Sequence, residues 1–183
     1  MKAYASSIVK SAVLGLALVW SGCALAMSPA EIDAGVQATL QSFYAQKAEH
    51  QELVKKAAAV LVFPHVTKAG IGVGGLHGEG ALLVDGKIVK HFEVSGASLG
   101  ATLGVAEHSE VILFMTKEAR EDFQRSKGWT LGADAGVAVA SKGAGVEYDT
   151  ETLRRPVLSF VLGEQGLMGD LSLEGFRITP IAS

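Results

Sequence analysis

The chain has 183 residues, 49% of them hydrophobic, with 16 basic against 19 acidic side chains and a single cysteine. Its net charge of −3 argues against sequence-independent attachment to nucleic acid, which needs a basic surface to displace counterions. One cysteine excludes an internal disulfide and a cysteine-based metal site, so the core must supply the stability.

Residues 1–26 read as an export signal. Lys2 and Lys10 give a positive start, Ser11 to Trp20 an apolar core too short to span a bilayer, and Ala24-Leu25-Ala26 a small-x-small cleavage pattern. Cleavage there makes Met27 the first mature residue. Lipid attachment at Cys23 is the competing reading, because Ser21-Gly22-Cys23 is similar to the end of a bacterial lipobox, although Trp20 stands where that motif has an aliphatic residue. On either reading the chain is exported, to the periplasm or to attachment at the outer membrane. Losing Lys2 and Lys10 with the leader moves the net charge from −3 to −5, which weakens purely electrostatic attraction to anionic membranes. Residues 27–183 are expected to form one domain, with helices across 28–58 and a β-rich body across 59–183.

Ser28-Pro29-Ala30-Glu31 is a helix start: a capping serine, proline at the first helical position, and a glutamate three residues on to close a capping box. Ile32, Val36, Leu40, Phe43 and Tyr44 follow at helical spacing and predict one buried stripe. A second helix is expected over Glu49 to Ala58, with Leu53, Val54, Ala57 and Ala58 inward and Lys55 and Lys56 near the negative end of its dipole.

From Ala59 the pattern changes to strands. Ala59 to Phe63 is a short apolar run ended by Pro64. Lys68-Ala69-Gly70-Ile71-Gly72-Val73-Gly74-Gly75-Leu76-His77-Gly78-Glu79-Gly80 follows, and Asp85-Gly86 is a two-residue hairpin turn between Leu82-Leu83-Val84 and Ile88-Val89. Further strands are expected at Phe92 to Leu103, at Glu110 to Met115, along Trp129 to Ala140, and at Val157 to Leu162, Leu167 to Leu173 and Phe176 to Ile181. Thr116 caps a short helix through about Arg125, with Gly128 as its stop. Strands that do not alternate with helices predict an α+β fold: a strongly curved antiparallel sheet or barrel-like sandwich, with N-terminal helices and one short inserted helix.

Three motifs suggest chemistry, and each lacks its context. Gly70-x-Gly72-x-x-Gly75 matches a dinucleotide fingerprint, but Gly78 and Gly80 oppose the helix that must follow it. Gly96-Ala97-Ser98-Leu99-Gly100 matches a nucleophile elbow, but His108 is the only later histidine and no acid precedes it at the required distance. His77 and Glu79 share one strand face, yet a metal site needs three or four ligands. The reading is therefore a non-enzyme without cofactor or metal.

Several longer motifs are more specific. Phe63-Pro64-x-Val66-x-Lys68-Ala69-Gly70-x-Gly72-Val73-Gly74-Gly75, Gly128-Trp129, Asp134-Ala135-x-Val137-Ala138-Val139, Gly143-Ala144-Gly145 and Gly166-Leu167-Met168-x-x-Leu171-Ser172-Leu173-Glu174-Gly175 together resemble the SYLF domain, also called the Ysc84-type actin-binding domain. The resemblance runs from about residue 50 to the end. Where many relatives have a second glycine after Gly145, this chain has Val146. The resemblance implies lipid binding at membranes. Actin, bound by some eukaryotic members, is not an expected partner of an exported chain.

On this reading the protein binds anionic phospholipid or a membrane surface of the bacterial cell envelope. The alternative is a structural or stress-related envelope protein acting through a protein partner. Lys68, Lys142 and Arg154 are the first candidate headgroup contacts, with Lys55 and Lys56 as a second patch. Small residues at Gly72, Gly74, Ser95, Ala97 and Gly100 are expected to line one face with room for an acyl chain. The helix from Pro29 to Gln46 either covers the sheet or lays its apolar stripe on a bilayer.

Overall fold

The computed structural model describes residues 27–130, 137–140, 155–165 and 176–181. Within them the chain forms α1 (Pro29–Gln46), α2 (Ala48–Lys56), β1 (Ala59–Val84), β2 (Lys87–Phe114), α3 (Lys117–Arg125), β3 (Trp129–Thr130), β4 (Val137–Ala140), β5 (Val157–Gln165) and β6 (Phe176–Pro180). The class is α+β with a strongly curved sheet, as the order of elements predicts.

α1 starts where the capping box places it. Ser28 Oγ accepts from the Glu31 N–H, and Glu31 Oε2 accepts from the Ser28 N–H at 2.8 Å. The Ser28 hydroxyl also donates to Glu31 Oε2 at 2.7 Å, and this bond first, then that from the Ser28 N–H, holds the Glu31 carboxyl below its ordinary range. The stripe of α1 lies on the sheet, with Ile32, Val36, Thr39, Leu40 and Phe43 buried, so it is the sheet and not a bilayer that receives it. In α2 the only buried residue is His50. Its ring stacks on Phe43 with centroids 4.0 Å apart, and its Nδ1 lies 2.7 Å from the Phe43 carbonyl.

β1 and β2 are two arms of one long hairpin, antiparallel throughout and closed at Asp85-Gly86. Asp85 and Gly86 have φ of 50° and 74°, the left-handed pair that a two-residue hairpin turn requires. Pro64 does not end the strand. It sits where the register shifts between Phe63 and Val66, a bulge that tolerates a residue without an N–H. A second shift, between Ile71 and Val73, lies in the glycine run. The glycines therefore belong to a continuous strand, and no helix opens from Gly75.

The remaining strands are organised by β2. Its far edge pairs first with β6, over Phe92 to Gly96, and then with β5, over Glu107 to Phe114. β3 extends the sheet beyond β6, and β4 extends it beyond β5. Every pairing is antiparallel except β4 with β5, a parallel pair made possible by the long intervening connection.

The hairpin curls until β1 meets itself. A Cβ on Gly78 would lie 2.6 Å from the His65 carbonyl oxygen, and one on Gly80 would overlap the Val62 carbonyl and lie 2.6 Å from Phe63 Cδ1. Glycine is required at both positions because backbone packs on backbone there.

Alternation along the strands divides the buried residues between two cores. The concave core gathers Leu61, Phe63, Leu76, Leu82, Phe92 and Phe114 among others, and α3 closes it. Phe123 of that helix lies 4.8 Å from both Phe92 and Phe114, and 5.5 Å edge-on from Trp129. The second core packs the α1 stripe on Val60, Val62, Leu83, Val111 and Leu113. Each large side chain so buried contributes roughly 1.5–3 kcal/mol. α3 begins at Thr116, whose Oγ1 accepts from the Ala119 N–H at 3.1 Å. Its end is an extended Ser126 and not Gly128. Gly128 instead lies under the Arg177 guanidinium, which a Cβ would displace.

Candidate functional site

α1 crosses the sheet with Gly35 tight against Pro64, where a Cβ would come within 2.9 Å of the proline ring. That close crossing leaves a groove on each side of the helix. The first, about 520 Å³, runs between α1, α2 and the Asp85-Gly86 turn. Leu40, Tyr44, Val54, Val60 and Leu83 give it an apolar lining, and Lys55 stands at its mouth. Desolvation raises the Tyr44 phenol above its ordinary pKa, in keeping with this apolar setting. Lys55 Nζ contacts Glu52 Oε1 at 2.8 Å with both side chains about 60% exposed, and Glu52 is lowered chiefly by its hydrogen bond from Lys55. Such an exposed pair is weak and readily exchanged for another anion. Asp85 lines the opposite rim. An apolar floor with a cation at the mouth suits an amphiphile, whose chain gains from leaving water while its anionic head stays in it.

The second groove, about 490 Å³, lies between α1, the Pro64 bulge and the β2–β5 pair. It is more polar. His65 Nδ1 and Glu107 Oε1 meet at 2.6 Å on its exposed side, and Ser109 Oγ donates to the Pro64 carbonyl at 2.6 Å.

A third feature lies on the concave face, where sequence reasoning did not place it. Lys68, His108, Glu110 and Ser159 are all buried, and the registers Val66↔His108, Lys68↔Ala106 and Phe63↔Glu110 set them on one face in a row. Ser159 Oγ donates to Glu110 Oε1 at 2.7 Å. Complete burial drives the Glu110 carboxyl above its ordinary pKa, partly opposed by that hydrogen bond. The one available signal was Glu110 at the head of an otherwise apolar strand.

The sequence candidates separate accordingly. Lys55 and Lys56 are exposed in the last turn of α2. Lys68 is within β1 and 5% exposed, on the concave side and away from the two grooves. Lys142, Arg154 and Cys23 lie outside the described residues, as do the strand expected at Leu167 to Leu173 and the turn at Lys142 to Gly145. The small residues do not share one face: Ala97 pairs with Gly75 and Ser95 with His77, whereas Gly74 pairs with Ser98 on the other side. Ser95 and Ala97 are exposed while Gly74 is buried, because adjacent strand residues face opposite ways.

The motif chemistry also meets strand geometry. Residues 96–100 lie inside β2, so the elbow's strand-to-helix turn does not form at Ser98. Among the described residues no three His, Cys, Asp or Glu side chains gather to hold a metal ion. No helix among them is long and apolar enough to cross a membrane.

Comparison with known proteins gives a family. Residues 95–182 match the Ysc84 family model, described as a Las17-binding protein actin regulator. The match takes in β2 from Ser95 onward and all later elements, leaving α1, α2 and β1 outside it. No curated protein matches the chain.

Proposed function

Residues 95–182 belong to the Ysc84 (SYLF) family, and from that premise we propose that this protein binds anionic phospholipid in the bacterial cell envelope, without catalysing a reaction. The observation that carries the reading is the groove beside α1. Its apolar floor is formed by Leu40, Val60 and Leu83, and Lys55 stands at its mouth with Lys56 exposed next to it. An acyl chain against that floor would bring its phosphate to the end of α2, where Lys55 exchanges Glu52 for the headgroup. Export, with delivery to the periplasm or the outer membrane, is part of the proposal and rests on residues 1–26. Actin, though named in the family description, is not proposed as a partner of an exported chain.

The test is co-sedimentation of the mature chain with vesicles of neutral phosphatidylcholine alone or with about a third anionic phosphatidylglycerol. Binding is expected to the anionic vesicles, weakened at least about thirtyfold by Lys55→Glu with Lys56→Glu, at roughly 1 kcal/mol for each basic residue near such a surface. No binding to either vesicle removes the proposal. Anionic binding unchanged by the double substitution removes this groove.

A second reading, an envelope protein acting through a protein partner, has one observation in its favour. Val105 is 64% exposed and pairs with the exposed Ala69, an apolar spot on the strand surface beyond the cover of α1. A charge at Val105 that abolished a protein contact and spared vesicle binding would favour this reading.

A further inference from the structure

Glu79 on β1 stands directly opposite Glu93 on β2, so two carboxylates occupy neighbouring positions on the face that α1 covers. Like charges so placed repel. Thr179 Oγ1 donates to Glu93 at 2.9 Å. Glu79 Oε2 receives the backbone nitrogen of Met27, also at 2.9 Å, and the Met27 side chain packs against the helix-side core. Met27 is at the same time the residue that follows Ala24-Leu25-Ala26. We propose that Met27 is the mature amino terminus and that its α-ammonium forms an ion pair with Glu79, so that processing strengthens the tie its amide already makes between the start of α1 and the sheet.

The chemistry is hydrolysis of the Ala26–Met27 peptide bond by a signal peptidase of the exporting cell. Water supplies the oxygen that completes the Ala26 carboxylate, and the released nitrogen takes up protons to become an ammonium. An amide N–H thereby becomes a cation in the place where two acids face each other, and a charge-assisted hydrogen bond is roughly twice as strong as a neutral one. The other ionisable groups near Glu79 on this side are His77, two residues before it on the same strand face, His91, paired with Asp33 of α1 at 2.8 Å, Glu31 within the capping box and Arg177 of β6, opposite Ser95. Attachment of lipid at Cys23 would instead leave Met27 as an internal amide. The inference rests on export with cleavage after Ala26 and is independent of lipid binding, so the vesicle result leaves it standing.

The test compares a chain released from a cleavable leader, so that Met27 carries a free amine, with a chain extended back to residue 23 and carrying Cys23→Ser. Glu79→Gln is introduced into both. In the Met27 chain it is expected to lower the folding equilibrium constant about fivefold, and in the extended chain less than about twofold. The α-amino group of the unsubstituted Met27 chain is expected to titrate above its ordinary range of about 7.7–8.0, returning to it with Glu79→Gln. Equal effects in the two chains, or an α-amino group titrating in its ordinary range, would overturn the proposal. Titration of the unsubstituted chain decides alone if the variant does not fold. Mass spectrometry of protein recovered from exporting cells should find Met27 at the terminus, and a diacylglyceryl Cys23 would refute it.

Discussion

Gly80→Ala probes the self-contact of β1 more directly than any other single change. The added methyl would overlap the Val62 carbonyl oxygen and sit 2.6 Å from Phe63 Cδ1, where carbon atoms prefer about 3.5–4.0 Å. Val62 is held in the hairpin ladder opposite Val111 and Phe63 is fully buried, so neither can give way without opening the curl. Overpacking of this kind costs about 1–3 kcal/mol, and obstruction by both backbone and ring places Gly80→Ala at or above the upper end. A loss of about 3 kcal/mol lowers the melting temperature by roughly 6–12 °C in a domain of this size. Gly75→Ala is the internal comparison. Among the described residues nothing lies within 4 Å of a Cβ there, and its φ is not in the left-handed region. Alanine should therefore be neutral or stabilise by up to about 1 kcal/mol through the unfolded chain. Urea unfolding of the mature chain reports both changes through Trp129, which becomes the only tryptophan once Trp20 leaves with the signal. Equal midpoints for the two variants would refute the account of the curl.

Two further expectations follow from the buried acid and the helix start. The pKa of Glu110 is raised by desolvation, so the folded chain favours the protonated acid. Stability from this group is complete below the ordinary carboxylate range and is lost as pH rises towards the raised folded value. Glu110→Gln, which can still accept from Ser159, should flatten that loss and raise the melting temperature at pH 7; thermal melts from pH 4 to 8 that superimpose for the two proteins would contradict this. Ser28→Ala removes the cap of α1 and should cost about 1 kcal/mol by urea titration, with no change in the secondary structure seen by circular dichroism.

Local chemistry made the element ends legible in the sequence. Ser28 with Glu31, Asp85-Gly86 and Thr116 each satisfy or bend backbone within a few residues, so their partners are adjacent in the chain. The glycine run was readable as strand because Gly78 and Gly80 are incompatible with a helix. Pro64 misled for a tertiary reason: a proline breaks a regular ladder, but here the register shift absorbs it. Gly128 misled similarly, since its small size serves Arg177 of β6 and not the helix end. The burial of His50, Lys68 and Glu110 depends on partners across the sheet or in another helix, and hydropathy alone reads such residues as exposed. Of the candidate site, the Lys55-Lys56 patch was visible as charge, whereas its apolar groove is assembled from Leu40, Val60 and Leu83, which no local pattern brings together.

The division of β2 between β5 and β6 has a consequence for how the chain is made. Residues 59–114 can close on themselves through a turn of two residues, so this part needs no distant sequence to zip. Once zipped, one side of β2 still presents a long row of unpaired amides and carbonyls until residues 157–180 arrive. A polypeptide truncated before β5 would keep that row open and should recruit strands from its neighbours, so premature termination in this gene would yield sticky fragments in place of inert ones.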